Sequence, residues 1–245
     1  YNYWLVDCQV MADEVTHDWE DLNYSREREP HTALDREDFE ERMDDIDTFF
    51  LLVGFPKTAT STIAGVLANQ DAVQMPRKKE PFYFPSDEYE FGPGFYWEKY
   101  FQGLWDDEPV VGEACTANCY TPFAARRIAE TIPDAKIIFS LRNPVDRAFS
   151  NWWMYYRSGL EDLSFDEAVK WELTEHRNDL MPLEAEDDDY WQWYRRRELA
   201  DDNTYIRRRT PRTYLMRGYY ALHIERFRQY FDDGDILYVF QDRLY

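Results

Sequence analysis

The pattern of apolar and polar positions changes character sharply near residue 48. From Asp13 to Asp47 most positions are charged, and the apolar ones are too scattered to form a strong helical face. This predicts a solvated helix or irregular arm over residues 1–47, leading into a folded domain over 48–245. Thr48-Phe-Phe-Leu-Leu-Val-Gly54 is then a continuous apolar run of strand length, as expected for a strand covered on both faces of a parallel sheet. Gly54-Phe55-Pro56 breaks the run, and Thr60 to Asn69 reads as a helix with Ile63, Val66 and Leu67 on one face. The unit recurs after Pro133-Asp134. Ala135 to Leu141 is a second buried-type strand, Arg142-Asn143-Pro144 interrupts it, and Val145 to Arg157 is helical. An amphipathic helix over Leu215 to Phe231 precedes a third strand at Asp235 to Phe240. Between Ser164 and Arg212 the chain is helix-like, charged and without glycine, which predicts a helical insertion at about 160–212. Strands alternating with helices predict an α/β fold, a central parallel sheet flanked by helices.

Composition agrees with a folded chain: 44% of the 245 residues are apolar, and 9 Trp, 19 Tyr and 16 Phe supply bulk for a core. The formal charge of −21 makes nucleic acid an unfavourable partner, because phosphate binding needs a basic footprint. More than half of that charge lies in the first 50 residues, which hold 16 Asp and Glu against 4 Arg. The cations are 22 Arg and 6 Lys. Acidic, Lys-poor surfaces suit high salt, and a solubilising acidic skin on an ordinary protein has the same composition. Cys8, Cys115 and Cys119 allow one disulfide at most and show no CxxC zinc spacing; Cys115 and Cys119 read equally as free core thiols. No apolar stretch is long enough to cross a bilayer and no signal peptide opens the chain, which begins at Tyr1 rather than Met and so reads as an excised piece, with an upstream anchor left open.

Two loops carry candidate chemistry. In Gly54-Phe-Pro-Lys57-Thr58-Ala59-Thr60-Ser61-Thr62, amides at a helix start, three hydroxyls and one ammonium form a cradle for an anion. The alternative is a Ser/Thr-rich helix start with no ligand. It is not a nucleoside-triphosphate loop, because Lys57 follows Gly54 by only three residues and no second glycine is present. In the second loop Arg142 leaves a strand end and Ser150 lies one to two turns into the next helix. Both can meet one phosphate at the carboxyl edge of the sheet. Two such sites suit a ligand with phosphates at separate positions.

Lys57-Thr-Ala-Thr-Ser-Thr62 resembles the 5′-phosphosulfate loop of sulfotransferases that use 3′-phosphoadenosine 5′-phosphosulfate (PAPS), and Arg142 with Ser150 resembles their 3′-phosphate motif. Lys79-Glu80-Pro81-Phe82-Tyr83-Phe84, Gly94 to Phe101, Gly112-Glu113 with Tyr120-x-Pro122, and Arg217-Gly218-Tyr219-Tyr220 resemble further family blocks in the family's order, over about residues 48 to 244. The resemblance is closest to the carbohydrate branch, the relatives of heparan sulfate glucosaminyl sulfotransferases. It implies a P-loop-like three-layer fold and PAPS as co-substrate, held by Lys57, Thr58, Ala59, Thr60, Ser61, Thr62, Arg142 and Ser150. It also implies sulfuryl transfer to a hydroxyl or amine of a glycan acceptor, without a metal. Lys57 and Glu80 are then the catalytic pair. No histidine lies between Lys57 and Arg142, where the cytosolic branch keeps its base, so the resemblance assigns proton removal to Glu80. Without the family context, Glu80 reads as a surface carboxylate paired with Lys78 or Lys79.

Three departures stand out: Ala59 where the loop usually has glycine, Ala114 where several relatives carry lysine, and an end at Tyr245 before the loop that closes over the adenosine and 3′-phosphate. They motivate the alternative of an inactive, sulfotransferase-like nucleotide- or glycan-binding module. Eight arginines from Arg195 to Arg217 suit either a groove for an anionic polysaccharide or neutralisation of adjacent acids, and Trp191 and Trp193 suit either sugar stacking or core packing. Asn23-Tyr24-Ser25 is a glycosylation sequon. By resemblance the compartment is the Golgi lumen in a eukaryote and the cytoplasm in a prokaryote.

Overall fold

Among the described residues five strands, all parallel, form one sheet in the order β2-β3-β1-β4-β5: β1 is Thr48–Leu52, β2 Val73–Gln74, β3 Val110–Ala114, β4 Lys136–Leu141 and β5 Ile236–Phe240. The computed structural model describes residues 34–175 and 212–244, all within one compact unit, Thr32–Tyr245. Helices in chain order are α1 Arg36–Asp44, α2 Thr60–Ala68, α3 Gly92–Tyr100, α4 Ala117–Tyr120, α5 Ala124–Thr131, α6 Pro144–Arg157, α7 Phe165–Glu175 and α8 Tyr220–Arg228.

The apolar run of β1 is buried on both faces, as a central parallel strand must be. Phe49, Leu51 and Val53 join Val111, Ile137 and Phe139 in the main core with Phe39 of α1, Phe95 to Trp97 of α3, Ile128 of α5 and Phe227 of α8. Leu52 points the other way, into a smaller cluster with Ala64, Ala114 and the flanking Ile63, Met75 and Ile138. Helix α2 therefore covers the face opposite α1, α3, α5 and α8, which makes three layers.

The end of the expected N-terminal arm is helix α1. Asp35 and Asp38 close it with reciprocal caps, the Asp38 amide donating to Asp35 Oδ1 at 3.0 Å and the Asp35 amide to Asp38 Oδ2 at 2.9 Å. Phe39 alone is fully buried there, and one large anchor explains why no periodic face showed in the sequence. The amphipathic helix expected over Leu215 to Phe231 is shorter: a 3-10 turn at Met216–Gly218 and a break at Tyr219 precede α8, which ends at Arg228. Strands β2 and β3 were not anticipated. Of the helical insertion expected at about 160–212, α7 is described and residues 176–211 lie outside the described residues. No described helix is long and apolar enough to cross a membrane. Cys115 and Cys119 are free and buried, and Cys8 lies outside the described residues.

Candidate active site

After β1 the chain turns to the β2-β3 side of the sheet, and β4 and β5 lie on the other side. This order puts the switch of direction between β1 and β4, and ligands of open α/β sheets bind at the carboxyl ends there. The two loops singled out in the sequence are the ones that leave these strand ends.

Gly54 lets the first loop start. A Cβ at this position would lie 2.6 Å from the Ser140 amide nitrogen and 2.7 Å from Phe139 Cα, so β1 and β4 approach too closely for any side chain. Lys57 and Ala59 both adopt left-handed backbone, with φ of +73° and +68°. This sharp turn returns the chain into α2 at Thr60, six residues after Gly54. No side chain caps the start of α2, so its first amides are left to an external acceptor. Thr58 is fully buried and its hydroxyl is turned inward, 2.6 Å from the Phe55 carbonyl and 2.5 Å from the Ser140 hydroxyl, which lies 3.1 Å from the Gly54 carbonyl. It pegs the loop to β4. Thr60 is also buried, whereas Ser61 and Thr62 are exposed on the first turn of α2 and Lys57 and Ala59 are half-buried.

The second loop is equally well defined. Asn143 caps α6, accepting from the Val145 amide at 2.9 Å and the Asp146 amide at 3.3 Å, and Pro144 opens the helix. Arg142 Nη1 donates to the Lys57 carbonyl at 3.3 Å, so the two loops touch. The Tyr220 hydroxyl donates to the Arg142 carbonyl at 2.9 Å, tying α8 to the same point. The Lys57 ammonium lies 3.7 Å from Met154 Sδ. Met154 is one turn beyond Ser150, so the α6 face carrying Ser150 is turned toward Lys57.

Glu80 arrives from the other side. Its amide donates to the Ala114 carbonyl at the end of β3, at 2.9 Å. Its carboxylate accepts from the Thr116 amide at 2.7 Å and from the Lys79 ammonium at 2.8 Å, with the Thr116 hydroxyl at 3.3 Å. The pairing with Lys79 is thus real, and it coexists with a position at the carboxyl edge next to β1. Glu80 also has a φ of +63°. Of the four described non-glycine residues with positive φ, Lys57, Ala59 and Glu80 belong to this edge, and strain of this kind gathers at functional sites.

Several groups behind the edge have a burial and partners that the sequence does not show. Glu113 on β3 is fully buried, accepting from the Tyr96 hydroxyl at 2.7 Å and from Asn118 Nδ2 at 2.8 Å. Burial, together with the nearby Glu80 charge, pushes it up to about 8 against the hydrogen bonds that oppose the rise. Arg147 on α6 is fully buried, donating to the Tyr214 carbonyl and, at 3.4 Å, to Asn151 Oδ1; burial pulls it down to about 10. His223 is buried between the Met216 carbonyl at 3.0 Å and Arg226 Nη1 at 3.1 Å, and burial pulls it down to about 3. The arginine can only donate, so Nε2 carries the imidazole proton and the ring is a neutral packing element.

Of the arginines from Arg195 to Arg217, two are described. Arg212 Nε lies 2.9 Å from Glu161 and its Nη2 2.9 Å from Asp162, and Arg217 is buried with its guanidinium 4.4 Å from the Tyr120 ring centroid. Arg212 therefore follows the neutralising alternative. The other six arginines, Trp191, Trp193 and the Asn23 sequon lie outside the described residues. Among the described residues no cluster of His, Cys, Asp or Glu could hold a metal ion.

Comparison with known proteins places the chain near sulfotransferases. The "Sulfotransferase family" model matches residues 97–197. The bifunctional heparan sulfate N-deacetylase/N-sulfotransferase 2 of Bos taurus is 28% identical over 78% of this chain and 19% of its own length, and that of Mus musculus is 26% identical over 77% and 19%. The chain thus spans about a fifth of these curated relatives. A membrane-associated sulfotransferase of Dictyostelium discoideum is 29% identical over 42% of this chain and 22% of its own length. The crystal structure of a sulfotransferase from Alicyclobacillus acidocaldarius superposes with a TM-score of 0.57 at 27% identity, covering 80% of this chain and 73% of that one. The resemblance to sulfotransferases of the carbohydrate type, first carried by motifs, is borne out by family model, by relatives and by a shared α/β fold.

Proposed function

We propose that this chain transfers a sulfuryl group from PAPS to a hydroxyl or amine of a carbohydrate acceptor, with Glu80 as general base. The observation that carries the reading is the convergence at one sheet edge of the uncapped α2 start, Lys57 and Arg142, with Glu80 held at the end of the adjacent strand β3. The relatives named for heparan sulfate N-sulfotransferase support the acceptor class.

PAPS supplies an activated sulfuryl group on its 5′-phosphate. The amides of Thr60, Ser61 and Thr62 and the exposed hydroxyls of Ser61 and Thr62 bind that end, and Thr58 contributes through its backbone, its hydroxyl being engaged with β4. Ala59 shapes the turn. Lys57 neutralises charge that grows on the bridging oxygen as the sulfur–oxygen bond breaks. Arg142 and Ser150 bind the 3′-phosphate. Glu80 takes the proton from the acceptor oxygen or nitrogen as it bonds to sulfur, and Lys79 and the Thr116 amide fix the direction of its carboxylate. Positioning and charge neutralisation are what such a transfer asks of the protein, as in phosphoryl transfer.

The test is Glu80→Gln. Turnover with PAPS and a desulfated glycosaminoglycan should fall at least a hundredfold, a typical general-base contribution, while binding of 3′-phosphoadenosine 5′-phosphate stays within about twofold of the parent. Unchanged turnover would remove Glu80 from the mechanism.

A further inference from the structure

Strand β3 places its one carboxylate, Glu113, inside the protein, where a carboxylate is costly unless it does something for its neighbours. Both of its oxygens are occupied. Oε2 accepts from the Tyr96 hydroxyl of α3 at 2.7 Å, and Oε1 accepts from Asn118 Nδ2 of α4 at 2.8 Å. Asn118 is itself fully buried, and its Oδ1 has no hydrogen-bond partner among the described residues, so Glu113 is what holds this side chain. Two residues before Asn118 stands Thr116, whose amide donates to the Glu80 carboxylate at 2.7 Å. The chain from Glu113 to Asn118 therefore forms a closed loop, tied at its base by Glu113 to Asn118 and presenting at its tip the amide that orients Glu80. The Cys115 amide, bonded to the Leu52 carbonyl at 3.2 Å, fixes the near side of the same turn to β1.

We propose that Glu113 is a positioning residue for the transfer reaction: through Asn118 it locks the turn that presents the Thr116 amide to Glu80. The inference rests on the reading of Glu80 as the base, and it extends that reading to a residue that touches neither nucleotide nor acceptor. The Glu80 charge is also one of the causes that raise Glu113, after burial.

The hydrogen bonds make distinct demands on substitutions. Gln at 113 keeps an acceptor for Tyr96, and its amide can donate to Asn118 Oδ1 once the Asn118 amide turns over. Ala at 113 leaves both partners unmet. Thr116 has a φ of −73°, which proline shares, so Thr116→Pro deletes the donor to Glu80 with the local backbone angle retained.

The experiment combines kinetics with amide hydrogen exchange at Thr116. In Glu113→Ala the kcat should fall at least tenfold, with 3′-phosphoadenosine 5′-phosphate affinity within twofold of the parent, and Thr116 exchange should quicken at least tenfold. Glu113→Gln should restore both to within threefold. Asn118→Ala and Thr116→Pro should reproduce the loss of kcat with nucleotide binding kept, and they carry the test if Glu113→Ala does not fold. A parent-like kcat in Thr116→Pro, parent-like Thr116 exchange in Glu113→Ala, or kcat and nucleotide affinity falling together would each overturn the proposal. The exchange measurement needs no turnover. A parent protein that neither binds the nucleotide nor transfers sulfate would thus refute the function, while exchange alone would still decide whether Glu113 holds the turn.

Discussion

Ala59 offers a quantitative check on the first loop. It is an L-residue at φ +68° and ψ +23°, directly before α2. Left-handed backbone costs a residue with a Cβ roughly 1–2 kcal/mol, a penalty glycine escapes. Ala59→Gly removes that cost and adds unfolded-chain entropy worth about 0.5–1 kcal/mol in the opposite direction. The net expectation is stabilisation by about 1 kcal/mol, which in a protein of this size raises the melting temperature by roughly 2–4 °C. Gly103 provides the mirror control: its φ is +69° and no atom lies within 4 Å of a Cβ built there, so Gly103→Ala isolates the backbone cost and should lower stability by a similar amount. Urea unfolding with the midpoint and slope fitted separately measures both variants. Unchanged or reduced stability in Ala59→Gly, with Gly103→Ala destabilised as expected, would refute the left-handed assignment at Ala59.

Other outcomes follow from the same geometry. Lys57→Ala and Arg142→Ala each remove a charge-assisted contact worth about 1.5–3 kcal/mol, so calorimetry should show 3′-phosphoadenosine 5′-phosphate binding weakened roughly 10- to 100-fold; full affinity in both would break the site assignment. Gly54→Ala forces a methyl group against the β4 backbone and should destabilise by at least about 1–3 kcal/mol on denaturant unfolding, with a neutral result contradicting the close approach of β1 and β4. Glu113, raised from 4.5 to about 8, keeps in the folded state a proton that the unfolded chain releases. Its contribution is therefore full below pH 4.5 and declines as the pH rises toward 8, so Glu113→Gln should gain stability relative to the parent between pH 5 and pH 9, by an amount on the order of a few kcal/mol. Parallel pH–stability curves would contradict the raised value.

Where the sequence could be read, one residue type dominated a short stretch for one reason. Thr48–Leu52 and Lys136–Leu141 are mostly apolar and mostly buried in a parallel sheet, so both strands and the loops leaving them were visible. Strand β3 hides the same role behind Gly112, which faces Phe50, and Glu113, whose burial is offset by Tyr96 and Asn118 from other elements. Strand β2 is two residues long and, among the described strands, pairs with β3 alone. Helix α1 has Phe39 as its one fully buried residue with half-buried Met43 one turn on, too little to show as a period. Within the site, Lys57, Arg142 and Glu80 carry side-chain chemistry and could be nominated. The Thr116 donor is a backbone amide, which any residue type except proline supplies, so nothing in its identity marks it. Thr58 shows the opposite difficulty: a hydroxyl in a phosphate-loop motif turns inward because Ser140, 82 residues away, is there to meet it. The left-handed angles at Lys57 and Glu80 were likewise invisible, since neither residue is one that favours them.

The central claim is that the edge formed by β1, β3 and β4 binds a nucleotide phosphorylated at both its 3′ and 5′ positions. Calorimetric titration of the protein with 3′-phosphoadenosine 5′-phosphate, set against the same titration with ATP, tests it most directly. The bisphosphate should bind saturably, with affinity weakened roughly 10- to 100-fold in Lys57→Ala and Arg142→Ala, and ATP should bind little or not at all. Tight binding of ATP with none of the bisphosphate would contradict it.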